Sequence, residues 1–318
     1  MHKDTPILSR FGCSRLLGRS SVPVLLYHQL GPDGVTRAAF REQMRWLADA
    51  GVRALAPADL ARVLAGEPLE RPAVLISFDD GFRDLYTFAG PVLAELGLRA
   101  TVFAIGGRLR PDAEPGREGE IAAAEAMRGF VLRGDRSAWL SARELRELAD
   151  GPVFSVGSHT TSHAMVPVAA PDLDALPAHW AYAPWEGRPG PYPRLAPELA
   201  GPAWLAEQGR PETDEEFARR AEQVLAESRC GLEAVLGRPV TALAWPWGAF
   251  HPLAVAAARQ AGFSLLFTTA RGAAGAGGDP LAVPRLEVRK GRGLGWFASR
   301  MAAYSRAWTA RLYSGMRV

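Results

Sequence analysis

Short, wholly apolar runs alternate with amphipathic helical stretches along the chain, and this alternation limits the folds open to it. Val22 to Tyr27, Ala73 to Phe78, "RATVFAI", "VFSVG", "VTALAW" and "SLLFTT" read as strands. Between them, "RAAFREQMRWLADAG" sets Phe40, Met44, Leu47 and Ala48 at helical spacing. "PADLARVLAG", Pro91 to Leu96 and "HPLAVAAARQAG" read as further helices. Ser141 with Glu144, and Thr213 with Glu216, are capping-box pairs. The second opens a long helix with Phe217, Ala221, Val224, Leu225, Leu232 and Leu236 on one side. Strands alternating with helices imply a parallel sheet with helices outside it. Strands apolar on both faces are what such coverage requires. The fold class is α/β with parallel strands, as a barrel or an open sheet, and in both the sites form at the carboxyl ends of the strands.

Composition sets the scale. The 318 residues, 48% of them hydrophobic, suffice for one large domain or two small ones. A charged fraction of 22% and a net charge of +3 describe an ordinary globular chain and give no sign of a nucleic-acid partner. The basic excess is local: Arg285, Arg289, Lys290, Arg292, Arg300, Arg306, Arg311 and Arg317 face only Glu287. Cys13 and Cys230 lie far apart with no C-x-x-C, so zinc-ribbon and thioredoxin signals are absent. Cys230, inside the long helix, is expected to be a small buried hydrophobe. The first residues carry no signal-peptide apolar core, and no stretch approaches a transmembrane length. The expectation is a cytoplasmic protein, with peripheral contact at the inner membrane as an option.

Two segments interrupt the alternation. Residues 108–140 are polar and read as a mobile excursion. Residues 164–213 hold ten prolines and five aromatics, Trp180, Tyr182, Trp185, Tyr192 and Trp204. So long an irregular stretch is usually functional, and the aromatics argue against disorder. The layout read from the chain is an extension over 1–20, one catalytic domain over 21–295 with insertions 108–140 and 164–213, and a basic amphipathic helix over 296–318. In that helix Trp296, Phe297, Met301, Tyr304, Trp308 and Leu312 recur at helical spacing, interleaved with Arg300, Arg306 and Arg311. It would either dock on the domain or lie on an anionic membrane surface.

In "LISFDDGFRDLY" a buried strand ends in two adjacent carboxylates, Asp79 and Asp80, followed by Gly81. Like charges so close raise each other's pKa, so they need solvent or a cation. Asp-Gly is also a common turn pair. His159 and His163, in "SVGSHTTSHAMV", follow another strand. A helical turn there would put both imidazoles on one side. H-x-x-x-H alone is a weak signal; with a carboxylate at an equivalent strand end it makes a two-histidine, one-carboxylate metal set. Successive residues leaving a strand diverge, so one aspartate can bind metal while its neighbour acts as general base. His28 also follows a strand, as does the loop "LAWPWGAF". There Pro246 and Gly248 tighten a turn between Trp245 and Trp247 that can offer a backbone N–H to a developing oxyanion.

S-F-D-D-G (77–81), H-T-T-S-H (159–163) and A-W-P-W-G (244–248) together resemble the polysaccharide deacetylases with NodB homology, also called carbohydrate esterase family four. Tyr27-His28 is similar to the circularly permuted branch that includes poly-β-1,6-N-acetylglucosamine deacetylases. The resemblance spans roughly residues 20–290 without the insertions. It implies a distorted (β/α) barrel and a divalent metal on Asp80, His159 and His163. It also implies Asp79 as general base and His28 as general acid. The main branch orients its base with an arginine a few residues ahead of a proline, and none precedes Pro246. Arg285, in "VPRLEV", is the candidate for that task. Tryptophans stand at 245 and 247 where the branch often has tyrosine.

These readings point to metal-dependent hydrolysis of an N-acyl amide, N-acetyl foremost, on an amino-sugar glycan. Zinc is the first choice of metal, and the ligand types also admit cobalt, nickel or iron. Trp180 and Trp185 are candidates for stacking on sugar rings. The alternatives are a deformylase or deacetylase of a lipid-linked or non-polymeric sugar, and a catalytically inactive carbohydrate-binding protein.

Overall fold

Side-chain parity along the strands explains the architecture. The computed structural model describes residues 17–315. In chain order these form β1 (Val24–Tyr27), α1 (Arg37–Asp49), β2 (Arg53–Ala54), α2 (Pro57–Leu64) and β3 (Ala73–Phe78). A π-helical turn (Leu85–Ala89) then runs into α3 (Gly90–Glu95), followed by β4 (Ala100–Ala104), α4 (Ala123–Arg133), α5 (Ala142–Asp150) and β5 (Phe154–Ser158). Two small antiparallel pairs come next, β6 (Met165–Pro167) with β7 (Leu195–Pro197) and β8 (Trp204–Leu205) with β9 (Arg210–Pro211). The chain finishes with α6 (Asp214–Leu236), β10 (Ala242–Ala244), α7 (Pro252–Gln260), β11 (Leu265–Phe267), β12 (Leu286–Glu287), α8 (Leu294–Tyr304) and α9 (Ala307–Gly315).

Eight strands form one sheet in the order β11-β10-β5-β4-β3-β1-β12, with β2 beside β3, and every pairing in it is parallel. Leu25, Tyr27, Val74, Ile76, Phe78, Val102 and Leu243 join helix residues such as Phe40, Met44, Leu93, Leu225 and Ala257 in the larger core cluster. The intervening positions, Val24, Leu75, Phe103, Ala242, Ala244 and Phe267, form a second cluster with Leu60, Val63 and Leu64 of α2. Successive side chains on a strand point to opposite faces. The first set therefore lies under the helices and the second fills the interior. Gly157 is glycine for this reason: a Cβ there would sit 2.5 Å from Phe103 Cε1.

The sheet curls until residues 283–287 join its edges. Val283 N donates to Leu266 O at 2.8 Å and Val283 O accepts from Thr268 N at 2.9 Å, beside β11. Three residues later the chain becomes β12 and pairs with β1, Leu25 with Leu286 and Leu26 with Glu287. The distorted (β/α) barrel expected from the resemblance is the fold found.

Several expectations change. Segment 108–140 is packed and not an excursion: it carries α4, and Met127 and Trp139 form a satellite core with Phe82, Ile105 and Ile121. Cys230 is exposed. The buried face of α6 runs through Phe217, Ala221, Leu225, Ser228 and Leu232, and Cys230, two positions from each of the last pair, points away. Cys13 lies outside the described residues. The C-terminal stretch is two helices, not one, broken at Ser305. Phe297, Met301 and Tyr304 of the first are buried, while Trp308 and Leu312 of the second are 66% and 59% exposed. Docking is thus mainly a property of the first, the second adding Ala310 to the core cluster. No helix among the described residues is long and apolar enough to cross a membrane.

Asp84, just past the carboxyl end of β3, is buried with one oxygen bonded to Leu30 N. Its other oxygen lacks a hydrogen-bond partner among the described residues. Burial pushes its carboxyl up to about 7, although the Leu30 N–H and the Arg37 charge pull the other way. The folded protein then holds a proton that the unfolded chain, titrating near pH ~4, releases. Stability contributed by this group falls as pH rises from about 4 to about 7. Asp84→Asn should therefore be more stable than the parent at pH 8, by about 1–4 kcal/mol, with the gain shrinking at pH 5. Urea unfolding at the two pH values measures this; equal stabilities at pH 8 would show Asp84 to be ionised without penalty.

Candidate metal centre and active site

Interior parity delivers four polar residues to one mouth of the barrel. Along β3 the inward positions Ala73 and Leu75 lead through Ser77 to Asp79. Along β1, Val24 and Leu26 lead to His28; along β5, Ser155 and Gly157 lead to His159; at the seam, Val283 leads to Arg285. His28, Asp79 and His159 lie at carboxyl strand ends, and Arg285 stands between the Val283 bridge to β11 and the start of β12. His28, Asp79 and His159 line one pocket of about 200 Å³ with Asp80, His163, Trp180 and Trp247.

The remaining ligands arrive through backbone strain. Asp80 (φ 73°), Thr160 (63°), His163 (47°) and Trp247 (54°) are the non-glycine residues with positive φ among those described. Left-handed φ at bulky residues costs on the order of 1–3 kcal/mol and persists only where surroundings impose it. Here Thr160 N donates to Ser158 Oγ, Thr160 O accepts from Gly106 N, and His163 N donates to Thr160 Oγ1. These bonds replace the helical turn expected between the two histidines. The imidazoles converge because the loop twice turns left-handed.

Asp80, His159 and His163 offer ligand atoms that all lie within 4.8 Å of one another. Asp80 Oδ1 is 3.7 Å from Nε2 of each histidine and has no hydrogen-bond partner among the described residues. Ligands about 2.1 Å from a tetrahedral ion stand roughly 3.4 Å apart, so the donor set fits such a cation with small adjustment. His159 Nδ1 lies 2.8 Å from Ala244 O, which fixes its proton on that side and leaves Nε2 as a lone pair. Burial holds the His159 pKa below its ordinary value, against Asp79 and Asp80. Burial, with the nearby His159 and Arg108, pushes His163 lower still. Both imidazoles are thus neutral at neutral pH, as ligation requires.

Asp79 is placed differently. Arg285 Nη1 and Nη2 donate to its two oxygens at 2.7 and 2.8 Å, and Arg285 Nε donates to Thr268 O at 2.8 Å. Both partners are buried. Burial alone would raise the Asp79 pKa; the Arg285 charge, His159 and the Arg285 hydrogen bonds outweigh it and hold the carboxyl below its usual range. One aspartate is therefore clamped and ionised while the other keeps an oxygen free beside the histidines.

The walls differ in part from expectation. Trp247 packs on His163 with ring centroids 3.9 Å apart, and Trp180 stacks on Trp247 at 6.1 Å. Trp185 does not line the pocket; it packs on Tyr182 at 6.1 Å. Trp245 is fully buried in the outer core, stacked on Phe250 at 5.3 Å, because its parity on β10 is outward. Pro246 is buried beneath the turn and is not in the pocket wall. Met127, Ala123 and Ala124 of α4, with Thr269, complete the wall and were not foreseen. Nor was Arg108, 1% exposed, whose guanidinium lies over Phe130, Trp139 and Trp180 at 4.8 to 5.6 Å. Burial lowers its pKa to about 10, and Asp80 offsets part of that. Its only trace in sequence is its place just beyond the carboxyl end of β4, in "GGRLR".

A family model described as polysaccharide deacetylase matches residues 66–266, well over half of the chain, which therefore belongs to the polysaccharide deacetylase family. Among characterised relatives it is 23% identical over 269 residues to the poly-β-1,6-N-acetyl-D-glucosamine N-deacetylase of Escherichia coli K12, an alignment covering 84% of this chain and 35% of that protein. The chain spans about a third of the length of the curated relatives it matches. The BpsB deacetylase domain of Bordetella bronchiseptica superposes with a TM-score of 0.66 at 20% identity, over 84% of this chain and 96% of that one. The de-N-acetylase of Aggregatibacter actinomycetemcomitans gives 0.68 at 20% identity, over 88% and 99%.

Two outcomes follow from this geometry. Asp80→Ala and His159→Ala should each lose bound divalent metal by elemental analysis while remaining folded; full metal content in either would remove that residue from the ligand set. Arg285→Lys keeps a charge but cannot fork onto both Asp79 oxygens and reach Thr268 O as well. It should lower stability by about 1–3 kcal/mol, less than the ~3–5 kcal/mol expected when a buried partner is removed outright. An unchanged melting temperature would mean that the pair is dispensable.

Proposed function

We propose that the chain is a metal-dependent deacetylase that hydrolyses the N-acetyl amide of N-acetylglucosamine residues in a glycan. The carrying observation is the split pair at the end of β3: Asp79 clamped by Arg285, and Asp80 within 3.7 Å of both histidines. Membership of the family supports the reaction type, and the printed activity of the Escherichia coli relative supports the sugar.

Asp80, His159 and His163 would hold the ion, which when bound supplies a Lewis acid for the amide carbonyl and for water. Zinc suits the set best, and other divalent first-row ions share its ligand preferences. Asp79 acts as general base. Arg285 occupies one donor fork on it, and a carboxylate has roughly four lone-pair positions, so acceptor capacity remains. His28, exposed on the rim of the same pocket, delivers a proton to the leaving nitrogen. An amine leaves poorly unless protonated, so an acid facing the base is needed. The Trp247 N–H, on the strained turn, is assigned to the developing oxyanion. Trp247 and Trp180 form a flat wall against which a sugar ring can lie.

The test is acetate release from β-1,6-linked N-acetylglucosamine oligomers by the zinc-loaded protein. Asp79→Asn should retain zinc and fold but lose about 10²–10⁴-fold in turnover. Zinc loss in that variant would exchange the roles of the two aspartates. Trp180→Ala should raise KM for the oligomer with little effect on a small activated ester; equal losses on both would assign Trp180 to packing alone.

A further inference from the structure

The arginine-rich end of the chain folds into a feature that the deacetylase chemistry does not use. A cleft of about 440 Å³ opens between the β12 seam and the C-terminal helices, lined by Arg271, Arg289, Arg292, Arg300, Trp296 and Tyr313. Glu287 is its sole acidic wall residue, and it pairs with Arg289 at 2.6 Å. Arg271, Arg292 and Arg300 form no ion pair within the described residues, whereas Arg285 and Arg289 of the same cleft each pair with a carboxylate. Three uncompensated cations in one concavity repel each other, which costs free energy unless an anion joins them.

Two of the three guanidiniums are held in position. Arg292 and Arg300 lie over the Trp296 ring, each 5.6 Å from its centroid, and Arg300 also lies 5.0 Å from that of Tyr313. Cation–π contact orients a guanidinium without consuming its N–H donors, which stay available to an oxyanion. Several forked donors around one concavity suit a tetrahedral phosphoryl group, which accepts from more than one fork at once.

The cleft adjoins the catalytic pocket. Thr269 lines both. Arg285, which clamps Asp79, forms part of the cleft's floor. Glu287 and Arg289 also line a third hollow shared with His28. An anion bound among the arginines would thus be anchored on the same mouth of the barrel as the reacting amide.

We propose that this cleft is a subsite for a phosphoryl group carried by the amino-sugar substrate, so that the protein selects a phosphorylated N-acetylated sugar over a neutral one. The proposal rests on the deacetylase reading for the identity of the sugar. The phosphoryl group could be borne by a soluble or polymeric sugar phosphate or by a lipid-linked one.

Calorimetric titration of the zinc-loaded full chain tests it, with N-acetylglucosamine and N-acetylglucosamine 1-phosphate as probes. The phosphorylated sugar should bind at least about ten-fold more tightly, and raised salt should erode the difference. In the double variant Arg292→Gln/Arg300→Gln, checked for an unchanged circular dichroism spectrum, the preference should fall below about three-fold. Equal affinities in the parent would overturn the subsite. So would a preference that survives in the double variant, since the phosphate would then be held elsewhere, as on the metal. A polyprenyl-phosphate-linked N-acetylglucosamine in detergent separates the sources: tighter binding than the soluble phosphate assigns a lipid-linked substrate, and equal binding assigns the phosphoryl group alone. Acetate release from the neutral oligomer is scored independently. Failure of acetate release from both the neutral oligomer and the phosphorylated sugar, alongside a retained phosphate preference, would sink the deacetylase reading and leave the subsite, and the converse result would do the reverse.

Discussion

The bidentate pair between Arg285 and Asp79 joins two residues separated by 206 positions, and the barrel and its chemistry both depend on it. Arg285 lies in the seam where the sheet's two edges meet, and its third donor is spent on Thr268 O beside β11. Asp79 ends β3, whose neighbour β1 in turn pairs with β12. A buried ion pair is rarely a strong net stabiliser, because desolvation consumes most of the attraction. Its value lies in specificity: an unpartnered arginine or aspartate in the interior is so unfavourable that misaligned closures of the seam are disfavoured. The contact that fixes closure also fixes the ionisation and orientation of the proposed base.

Strain is concentrated where the strands end. Residues inside the barrel adopt regular geometry and parity does the placing. Beyond the strand ends, Asp80, Thr160, His163 and Trp247 depart from it together. Three of these four line the pocket, and the fourth spaces the two histidines. Left-handed turns let consecutive residues do different things, so Asp79 can follow the strand inward while Asp80 swings to the histidines. Extended backbone continued past Asp79 would instead send Asp80 to the outer face of the sheet, away from the histidines.

Much of this was readable in the sequence, for identifiable reasons. The capping boxes at Ser141 and Thr213, and the apolar runs at Ala73 to Phe78 and at Phe154, are local signals, and they became helices and strands within a residue or two. The cluster of Asp80 with the histidines was legible because ligand chemistry restricts residue types. Inward and outward parity was not, since covered strands are apolar on both faces, and this is why Trp245 was grouped with Trp247 although one is in the core and the other in the pocket. Arg108 and α4 escaped because their segment packs through long-range contacts among residues of mixed polarity. Cys230 was misjudged for a simpler reason: helix membership says nothing of which face a residue occupies.

The two ends of the described chain are tied together. Ser20 N and Ser21 N both donate to Ser305 O, Ser21 Oγ donates to Tyr304 O, and Ala307 N donates to Ser20 Oγ. With β1 already paired to β12, residues 20–307 run nearly as a closed loop around the barrel. In such a loop the point of opening is arbitrary with respect to the active site. Joining the tied ends and cutting an exposed connection elsewhere would reorder the motifs along the chain without moving His28, Asp79, His159 or Arg285 relative to one another. Motif order is therefore a historical property of a sequence with this fold, whereas the inward register at the strand ends is the physical one.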